Sequence, residues 1–255
     1  MHQSPPERGQ SWGNSDIDWD AWPVQQYLAE SYRELHPLDA AVIEHHSAFY
    51  RTLPPDSIDR SVEVGAGPNL YPLMLPAAAS RQVEAVEYGA ANVAYLRGQL
   101  ARSDESWQPF YARCRELNSD LPGTLAEALS RVEVVPGNAL DLPPGHYGLA
   151  SMHFVAEGAT ENFAEFERFC RAFVRCVRPG GFLVAAFMEN MARYALGDHS
   201  EWPGFPVDQD TLRRVFAPHV EELVLDHIDP DPTLPAYGYT GVLVMTARRS
   251  GGTTE

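Results

Sequence analysis

Short apolar blocks recur along the chain, and their spacing alternates between the two-residue period of a strand and the longer period of a helix. The pattern predicts strands over Ser61–Val64, Gln82–Val86, Arg131–Val135, Leu149–Phe154, Phe182–Phe187, Glu222–Ile228 and Gly241–Ala247. It predicts helices over Asp39–Leu53, Pro72–Ala79, Ala90–Arg102, Pro122–Ser130, Glu161–Val177 and Gln209–Phe216. Strands therefore alternate with helices over most of the sequence.

This alternation favours a parallel sheet with helices on both faces. The last two predicted strands are joined by a proline-rich loop without a helix, which indicates an antiparallel pair. We therefore expect a Rossmann-like, doubly wound α/β fold: a seven-stranded, mostly parallel sheet with an antiparallel last strand and an N-terminal helical cap. We expect one domain over residues 19–249, with cap or lid helices over 19–58. The compositions of 1–18 and 250–255 favour disordered tails.

Composition narrows the range of partners. The net charge of −16 opposes binding to a phosphate backbone, so no nucleic-acid partner is expected. The sequence shows no run of roughly 18 apolar residues and no secretory leader, so we expect no membrane span. The three cysteines favour a reducing, cytoplasmic location. Neither the cysteines nor the adjacent His45 and His46 have the spacing of metal ligands, so no metal is expected. Monomer and homodimer both stay open.

The first predicted strand ends in a glycine turn, within the segment "SVEVGAGPNLYPLML". Glycines at the carboxyl end of a parallel strand let the backbone turn sharply and a ligand approach closely, which is typical of a nucleotide-like cofactor site. The third glycine of a dinucleotide fingerprint would fall at Leu70, and Pro68 removes a backbone N–H group that a pyrophosphate would need. Both features disfavour NAD or FAD.

A second signal lies at the end of the next strand. Glu87 follows Gly67 by 20 residues, the spacing at which an acidic residue binds ribose hydroxyl groups. Further along, "VRPGGFLVAAF" predicts a helix that ends at Arg178, a Pro-Gly-Gly turn and an apolar strand. Together these three features resemble class I S-adenosylmethionine-dependent methyltransferases.

Within that class, the chain is similar to the family of nicotinamide, phenylethanolamine and thioether methyltransferases. Three motifs carry the resemblance: "GAGPNLY" at the turn, "YLAESY" with Tyr27 and Tyr32, and "EYGAAN" from Glu87 to Asn92. The resemblance extends from about Trp22 to Arg248. It implies S-adenosylmethionine as cofactor, S-adenosylhomocysteine as product and a small-molecule acceptor.

The resemblance also implies residue roles around the cofactor. Tyr27 and Tyr32 would cover its methionine end, Glu87 would hold the ribose, and Asn138 would meet the adenine. Asp141 is a second choice for the adenine, although it is also a typical turn residue before two prolines. The implied cofactor-binding residues are Tyr27, Tyr32, Gly65, Ala66, Gly67, Tyr71, Glu87, Tyr88, Asn92, Asn138, Ala139, Ser151 and Met152.

The acceptor side departs from the family pattern. Alignment puts Phe187 or Met188 where the nicotinamide enzyme has an aspartate, so His153, Glu157 and the nearby Glu189 are the catalytic candidates. Aromatic walls are expected from Trp202, Phe205, Tyr237 and Tyr239, although both loops could be surface turns. We expect methyl transfer, with an amine nitrogen favoured. The alternatives are O-methylation with His153 or Glu157 as base, a nicotinamide-dependent oxidoreductase, and a non-catalytic cofactor-binding protein.

Overall fold

The computed structural model describes residues 11–196, 200–233 and 238–251. One large sheet contains β1 (Ile58–Val64), β2 (Ser80–Glu87), β3 (Val132–Pro136), β4 (Tyr147–His153), β5 (Val177–Glu189), β8 (Val220–Ile228) and β9 (Gly241–Arg249). The short strands β6 (Tyr194–Leu196) and β7 (Ser200–Trp202) pair separately. The strand order of the large sheet is β3-β2-β1-β4-β5-β9-β8. Within this sheet β9 runs antiparallel to the six other strands. The expected fold class is confirmed.

Helices cover both faces of the sheet. They are α1 (Val24–Ser31), α2 (Pro37–Tyr50), α3 (Tyr71–Met74), α4 (Ala90–Ala101), α5 (Gln108–Leu117), α6 (Leu125–Leu129), α7 (Phe163–Cys176) and α8 (Gln209–Phe216). One apolar cluster lies between the sheet and α2–α6, and the other between the sheet and α7 with α8. Helix α5 and the β6–β7 pair were not predicted.

Strand β1 shows how the pattern of side chains serves both faces. Val62 and Val64 are buried in the cluster against α7. Ser61 and Glu63 alternate with them and point to the opposite face, where they are also buried. A carboxylate therefore lies inside the layer between the sheet and α2, where it needs hydrogen-bond partners.

Two expectations about segment ends were wrong. Helix α7 ends at Cys176 rather than Arg178, and β5 begins at once with Val177. The Pro-Gly-Gly sequence lies within β5 as an irregularity, because Val177 pairs with Tyr147 while the next paired residue, Phe182, pairs with Leu149.

Residues 11–18, assigned to a disordered tail, instead pack on the domain. The N–H group of Trp12 donates to Glu161 Oε2 at 2.9 Å, and the guanidinium of Arg193 lies 4.2 Å from the centre of the buried Trp12 ring. The composition of the tail indicates disorder, but partners about 150 residues away hold its last part in place. Residues 1–10 and 252–255 lie outside the described residues.

The described residues hold no cluster of three or more His, Cys, Asp or Glu side chains arranged as a metal site. No described helix combines the length and the apolarity needed to cross a membrane. All three cysteines are buried and unpaired, and burial raises the pKa of Cys114 and Cys176 to about 12. These thiols are neutral and act as packing groups.

Candidate functional site

The strand order reverses direction at β1, which lies between β2 and β4. In open α/β sheets, ligands bind beyond the carboxyl ends of the strands at such a point. A pocket with about 970 Å³ of empty space, including the solvent at its mouth, lies there. We call it the first pocket, and define it by the turn Gly65–Asn69, Glu87, Asn92, Gly137–Ala139 and Phe154–Val155.

The glycine turn forms one wall of the first pocket. Gly65 has φ +67°, and a Cβ atom there would lie 2.6 Å from Val155 Cγ1, so both conformation and space require glycine. Gly67 also has a positive φ, of +57°, but a Cβ atom there would meet only the carbonyl oxygen of Gly65, at an ordinary contact distance of 4.0 Å. The backbone of Gly67 is therefore exposed to whatever fills the pocket.

Glu87 ties this turn to the next one. Its Oε2 accepts from the N–H of Gly67 at 2.8 Å, and its Oε1 accepts from the N–H of Gly89 at 2.7 Å and from Asn92 Nδ2 at 3.2 Å. The side chain is 6% exposed and lines the pocket. A carboxylate offers about four lone-pair sites, so roughly one acceptor site stays open toward a ligand hydroxyl.

Asn92 adds an acceptor beside Glu87. Asn92 lines the first pocket, and its Oδ1 is buried and has no hydrogen-bond partner among the described residues. A buried carbonyl oxygen without a donor is costly unless a ligand supplies one. The pair Glu87–Asn92 thus forms a cradle of acceptor oxygens.

The wall of the first pocket also carries the residues expected near the adenine. Asn138 and Ala139 line it, and Asn138 Oδ1 accepts from the N–H of Leu140 at 2.9 Å. Tyr88 also lines it and is 63% exposed. Asp141 is exposed, and it does not line the first pocket.

The roof of the first pocket comes from the N-terminal segment, in which Trp19 and Trp22 belong to the predicted cap and Asn14 to the predicted tail. Asn14, Trp19 and Trp22 line the pocket from above the sheet edge. Trp19 donates through Nε1 to Asn14 Oδ1 at 3.0 Å, and Trp22 packs edge-on against Trp202 with ring centres 4.5 Å apart. An indole ring combines a large apolar surface with one N–H donor, so these residues suit a cover that keeps water from a ligand.

A second pocket adjoins the first and shares Trp22, Tyr27, Phe154 and Tyr194 with it. It has about 730 Å³ of empty space, including open solvent, and we define it by those residues together with Tyr32, Asp39, Met188, Met191 and Tyr239. Asp39 lies in the first turn of α2 and is 6% exposed. Burial raises the pKa of Asp39 to about 7, an effect that the neighbouring Tyr71 hydroxyl partly offsets. Sequence reasoning missed Asp39.

Phe154 separates the two pockets. It follows β4 directly with φ +60°, a conformation that costs free energy for a bulky side chain. Its N–H donates to the carbonyl of Ala186 at 2.8 Å, which extends the β4–β5 pairing by one residue. The strained backbone turns the ring into both pockets.

His153, predicted as a base, lines the first pocket, but both of its ring nitrogens are engaged. Nδ1 lies 3.0 Å from Glu63 Oε1, and Nε2 lies 3.0 Å from His46 Nδ1. Burial holds the pKa of His46 well below its usual value, and the neighbouring His153 lowers it further. This buried chain orients His153 and leaves neither nitrogen free for an acceptor.

The other two catalytic candidates lie outside both pockets. Glu157 is fully buried, its Oε1 accepts from the N–H of Met188 at 2.8 Å, and burial raises its pKa to about 8. Glu189, at the end of β5, accepts from the Thr240 hydroxyl at 2.7 Å and lies 3.2 Å from His227 Nε2.

Of the remaining residues predicted to bind the cofactor, some line a pocket and the others are fully buried in the core. Tyr27 lines both pockets, Tyr32 lines the second, and their hydroxyl groups lie 3.2 Å apart. Tyr71 is fully buried and stacks on Phe110, and Ser151 and Met152 are fully buried within β4. Gly65, Ala66 and Gly67 line the first pocket, as expected from the turn.

The structure places only some of the expected aromatic wall residues at the pockets. Tyr239 lines the second pocket, and Trp202 packs on the roof residues Trp19 and Trp22. Phe205 instead stacks on Phe166, with ring centres 5.1 Å apart, in the cluster against α7. Tyr237 lies outside the described residues.

No protein-family model and no curated protein matches the chain. Among solved structures, the DhpI–SAH complex has a TM-score of 0.58 and 16% identity, covering 92% of this chain and 94% of that one. The N-methyltransferase NodS from Bradyrhizobium japonicum WM9, in complex with S-adenosyl-L-homocysteine, has a TM-score of 0.54 and 10% identity, with coverages of 91% and 99%. A SAM-dependent methyltransferase from Methanosarcina mazei has a TM-score of 0.55 and 12% identity, with coverages of 85% and 99%. The chain therefore has the Rossmann-like fold of these methyltransferases.

Proposed function

We propose that the chain is an S-adenosylmethionine-dependent methyltransferase that acts on a small-molecule acceptor, with an amine nitrogen as the favoured methyl acceptor. The cradle in the first pocket carries this proposal. It combines the open backbone at Gly67, the buried carboxylate of Glu87 and the unpartnered Oδ1 of Asn92 at the point where the strand order reverses.

The residues present fit this cofactor. Glu87 and Asn92 would accept from the two ribose hydroxyl groups, while Asn138 and Ala139 would lie along the adenine. The rings of Trp22 and Tyr27 would lie beside the methionine end. When bound, the cofactor supplies a methyl group on a positively charged sulfur, and aromatic ring faces attract such a cation.

The protein's part in the reaction is to position the acceptor and to keep water out. The roof residues Trp19 and Trp22 and the ring of Phe154 enclose the junction of the two pockets. A nucleophile held at that junction lies close to both pockets and is kept away from open solvent.

Two observations favour nitrogen over oxygen. An aliphatic hydroxyl is a far weaker acid than an ammonium group and so needs a stronger base, and the ring nitrogens of His153 are held by Glu63 and His46. NodS, which shares the fold, is described as an N-methyltransferase. Glu157 does not line either of the two pockets.

Calorimetric titration of S-adenosylhomocysteine into the wild type and Glu87→Ala tests the cofactor assignment. We expect micromolar binding by the wild type. Loss of the Glu87 carboxylate should weaken binding by about 1–3 kcal/mol, because a buried ligand hydroxyl then loses its acceptor. No binding by the folded wild type would end the proposal.

Glu84→Ala is the matched control. Glu84 lies on the same strand, three residues earlier, and accepts from the Tyr147 hydroxyl at 2.7 Å, away from the first pocket. Its loss should leave binding of S-adenosylhomocysteine unchanged. Equal weakening in both variants would trace the effect to β2 as a whole. A panel of amines, phenols and thiols with labelled S-adenosylmethionine then separates an enzyme from a binding protein.

A further inference from the structure

The second pocket contains one acidic side chain and no basic one among its described lining residues. The acidic residue is Asp39, which forms no ion pair with any residue in the described ranges 11–196, 200–233 and 238–251. A buried carboxylate normally has a cationic partner or several donors. Asp39 has the neighbouring Tyr71 hydroxyl as a donor, but it has no cationic partner among the described residues.

The groups that face Asp39 come from every element packed around it. Burial raises the pKa of the four tyrosines nearest to it, and the charge of Asp39 adds to the rise in each: Tyr27, Tyr32, Tyr71 and Tyr239. Asp231, from the loop after β8, raises the pKa of Asp39 itself. These neighbours are neutral phenols and one further acid, so none of them neutralises the carboxylate.

Aromatic rings complete the environment. The rings of Trp22 and Tyr27 meet edge-on with centres 5.4 Å apart, and the rings of Tyr27 and Tyr32 meet edge-on at 5.3 Å. Trp and Tyr ring faces attract cations, most strongly when water is excluded. A carboxylate surrounded by such rings suits a protonated amine that carries an apolar group.

We propose that Asp39 binds the protonated amine of the acceptor in the second pocket and takes its proton before methyl transfer. This inference rests on the proposed function and adds the residue that selects the acceptor. It replaces the carboxylate that the sequence suggested, since Glu189 is paired with His227 and Thr240 and does not line this pocket.

The proton step balances within the site. An ammonium nitrogen has no lone pair, so it cannot attack a methyl group. One N–H bond breaks, the proton moves to an Asp39 carboxylate oxygen, and a neutral amine and a carboxylic acid result. The nitrogen keeps the electron pair, which becomes available for the transfer. Burial raises the pKa of Asp39 to about 7, so its carboxylic acid form is accessible near neutral pH.

Calorimetry with matched probes tests the inference. The protein is saturated with S-adenosylhomocysteine at pH 8, and 2-phenylethylamine and tryptamine are titrated beside 2-phenylethanol and tryptophol. Each alcohol keeps the ring and chain of its amine but lacks the charge. We expect at least one amine to bind about 10- to 100-fold more tightly than its alcohol. In Asp39→Asn the amine should bind no better than the alcohol. In the wild type the preference should shrink at pH 6, as Asp39 takes up a proton.

Each outcome decides the inference. Unchanged binding of S-adenosylhomocysteine by Asp39→Asn shows that the variant is folded. The inference is overturned if the wild type binds none of the amines, if it binds amines and alcohols equally, or if Asp39→Asn keeps the preference. It is also overturned if Glu189→Gln loses the preference while Asp39→Asn does not. A wild type that does not bind S-adenosylhomocysteine overturns the proposed function as well, so the two failures are distinct.

Discussion

The two pockets lie side by side and share the ring of Phe154, but they hold their buried carboxylates differently. Glu87 in the first pocket accepts from two backbone N–H groups and the Asn92 amide. Asp39 in the second pocket lies among phenol rings, and its pKa is raised to about 7 by burial. The first carboxylate is held by hydrogen bonds from the protein itself, whereas the second has no cationic partner among the described residues.

The difference follows from how each pocket is built. The first is formed by backbone turns at the ends of adjacent parallel strands, so its requirements are local: glycines at one turn and an acid at the next. The second is formed by side chains from α1, α2, the end of β5 and the loop before β9. Residues that line the second pocket can therefore change without any change in the first pocket, which is one way in which a fold supports many functions.

The largest effect is expected from Gly65→Ala, which attacks the first pocket through its backbone. The left-handed conformation costs about 1–2 kcal/mol for alanine, and the contact of its Cβ with Val155 adds about 1–3 kcal/mol in the free energy of unfolding. The displaced turn should also weaken S-adenosylhomocysteine binding by about 100-fold, or about 2.8 kcal/mol. Urea unfolding and calorimetry measure the two losses.

Gly145→Ala is the control for conformation alone. Gly145 has φ +66°, but a Cβ atom there would meet open space, and the residue lies outside the first pocket. It should lose only about 1–2 kcal/mol of unfolding free energy, and it should bind normally. If both variants lose the same stability and both bind normally, the close packing against Val155 is unimportant for the site.

These two glycines also show what sequence can and cannot reveal. The strand pattern predicted the sheet, and α8 has the predicted bounds Gln209–Phe216, because its buried face recurs at helical spacing and Asp208 caps it. The turn at Gly65 was identified from residue type and position alone. Its contact with Val155 was not, because the two residues are 90 positions apart.

The second pocket could not be predicted from the sequence for the same physical reason. Asp39 looks like an ordinary acid in the first turn of a helix, and nothing in its neighbourhood along the chain indicates burial. Phe154 has no sequence signal for a positive φ, which is uncommon outside glycine. Trp12 belongs to a segment of disordered composition and is fixed by Glu161. Each depends on partners that only the folded chain brings together.

A second experiment compares the carboxylates directly by making each one neutral and measuring urea unfolding at pH 9. Glu87→Gln should lose about 2 kcal/mol, because a charge-assisted acceptor of backbone N–H groups becomes an amide. Asp39→Asn should gain about 2 kcal/mol. The folded-state pKa of Asp39 is raised from 3.8 to about 7, so its stabilising contribution is complete below 3.8 and is lost as pH rises through 7. The neutral asparagine avoids that loss.

The two variants are expected to change the free energy of unfolding in opposite directions, so the experiment clearly separates the two carboxylates. At pH 4 the gain from Asp39→Asn should vanish, since the wild-type carboxyl group is then largely protonated in the folded protein. A loss of stability at pH 9 in Asp39→Asn, of the same size as in Glu87→Gln, would mean that Asp39 already has strong partners. The contrast between the two pockets would then be wrong.

The smallest effect is expected from Tyr27→Phe, in the wall that both pockets share. Its hydroxyl group lies 3.2 Å from that of Tyr32, so its removal should lower the free energy of unfolding by about 1 kcal/mol. Tyr111→Phe removes a comparable hydroxyl, which donates to the Pro122 carbonyl at 2.6 Å far from the site, and should cost a similar amount. Only Tyr27→Phe should weaken S-adenosylhomocysteine binding, by about threefold. Unchanged binding would show that Tyr27 contributes its ring alone to the first pocket.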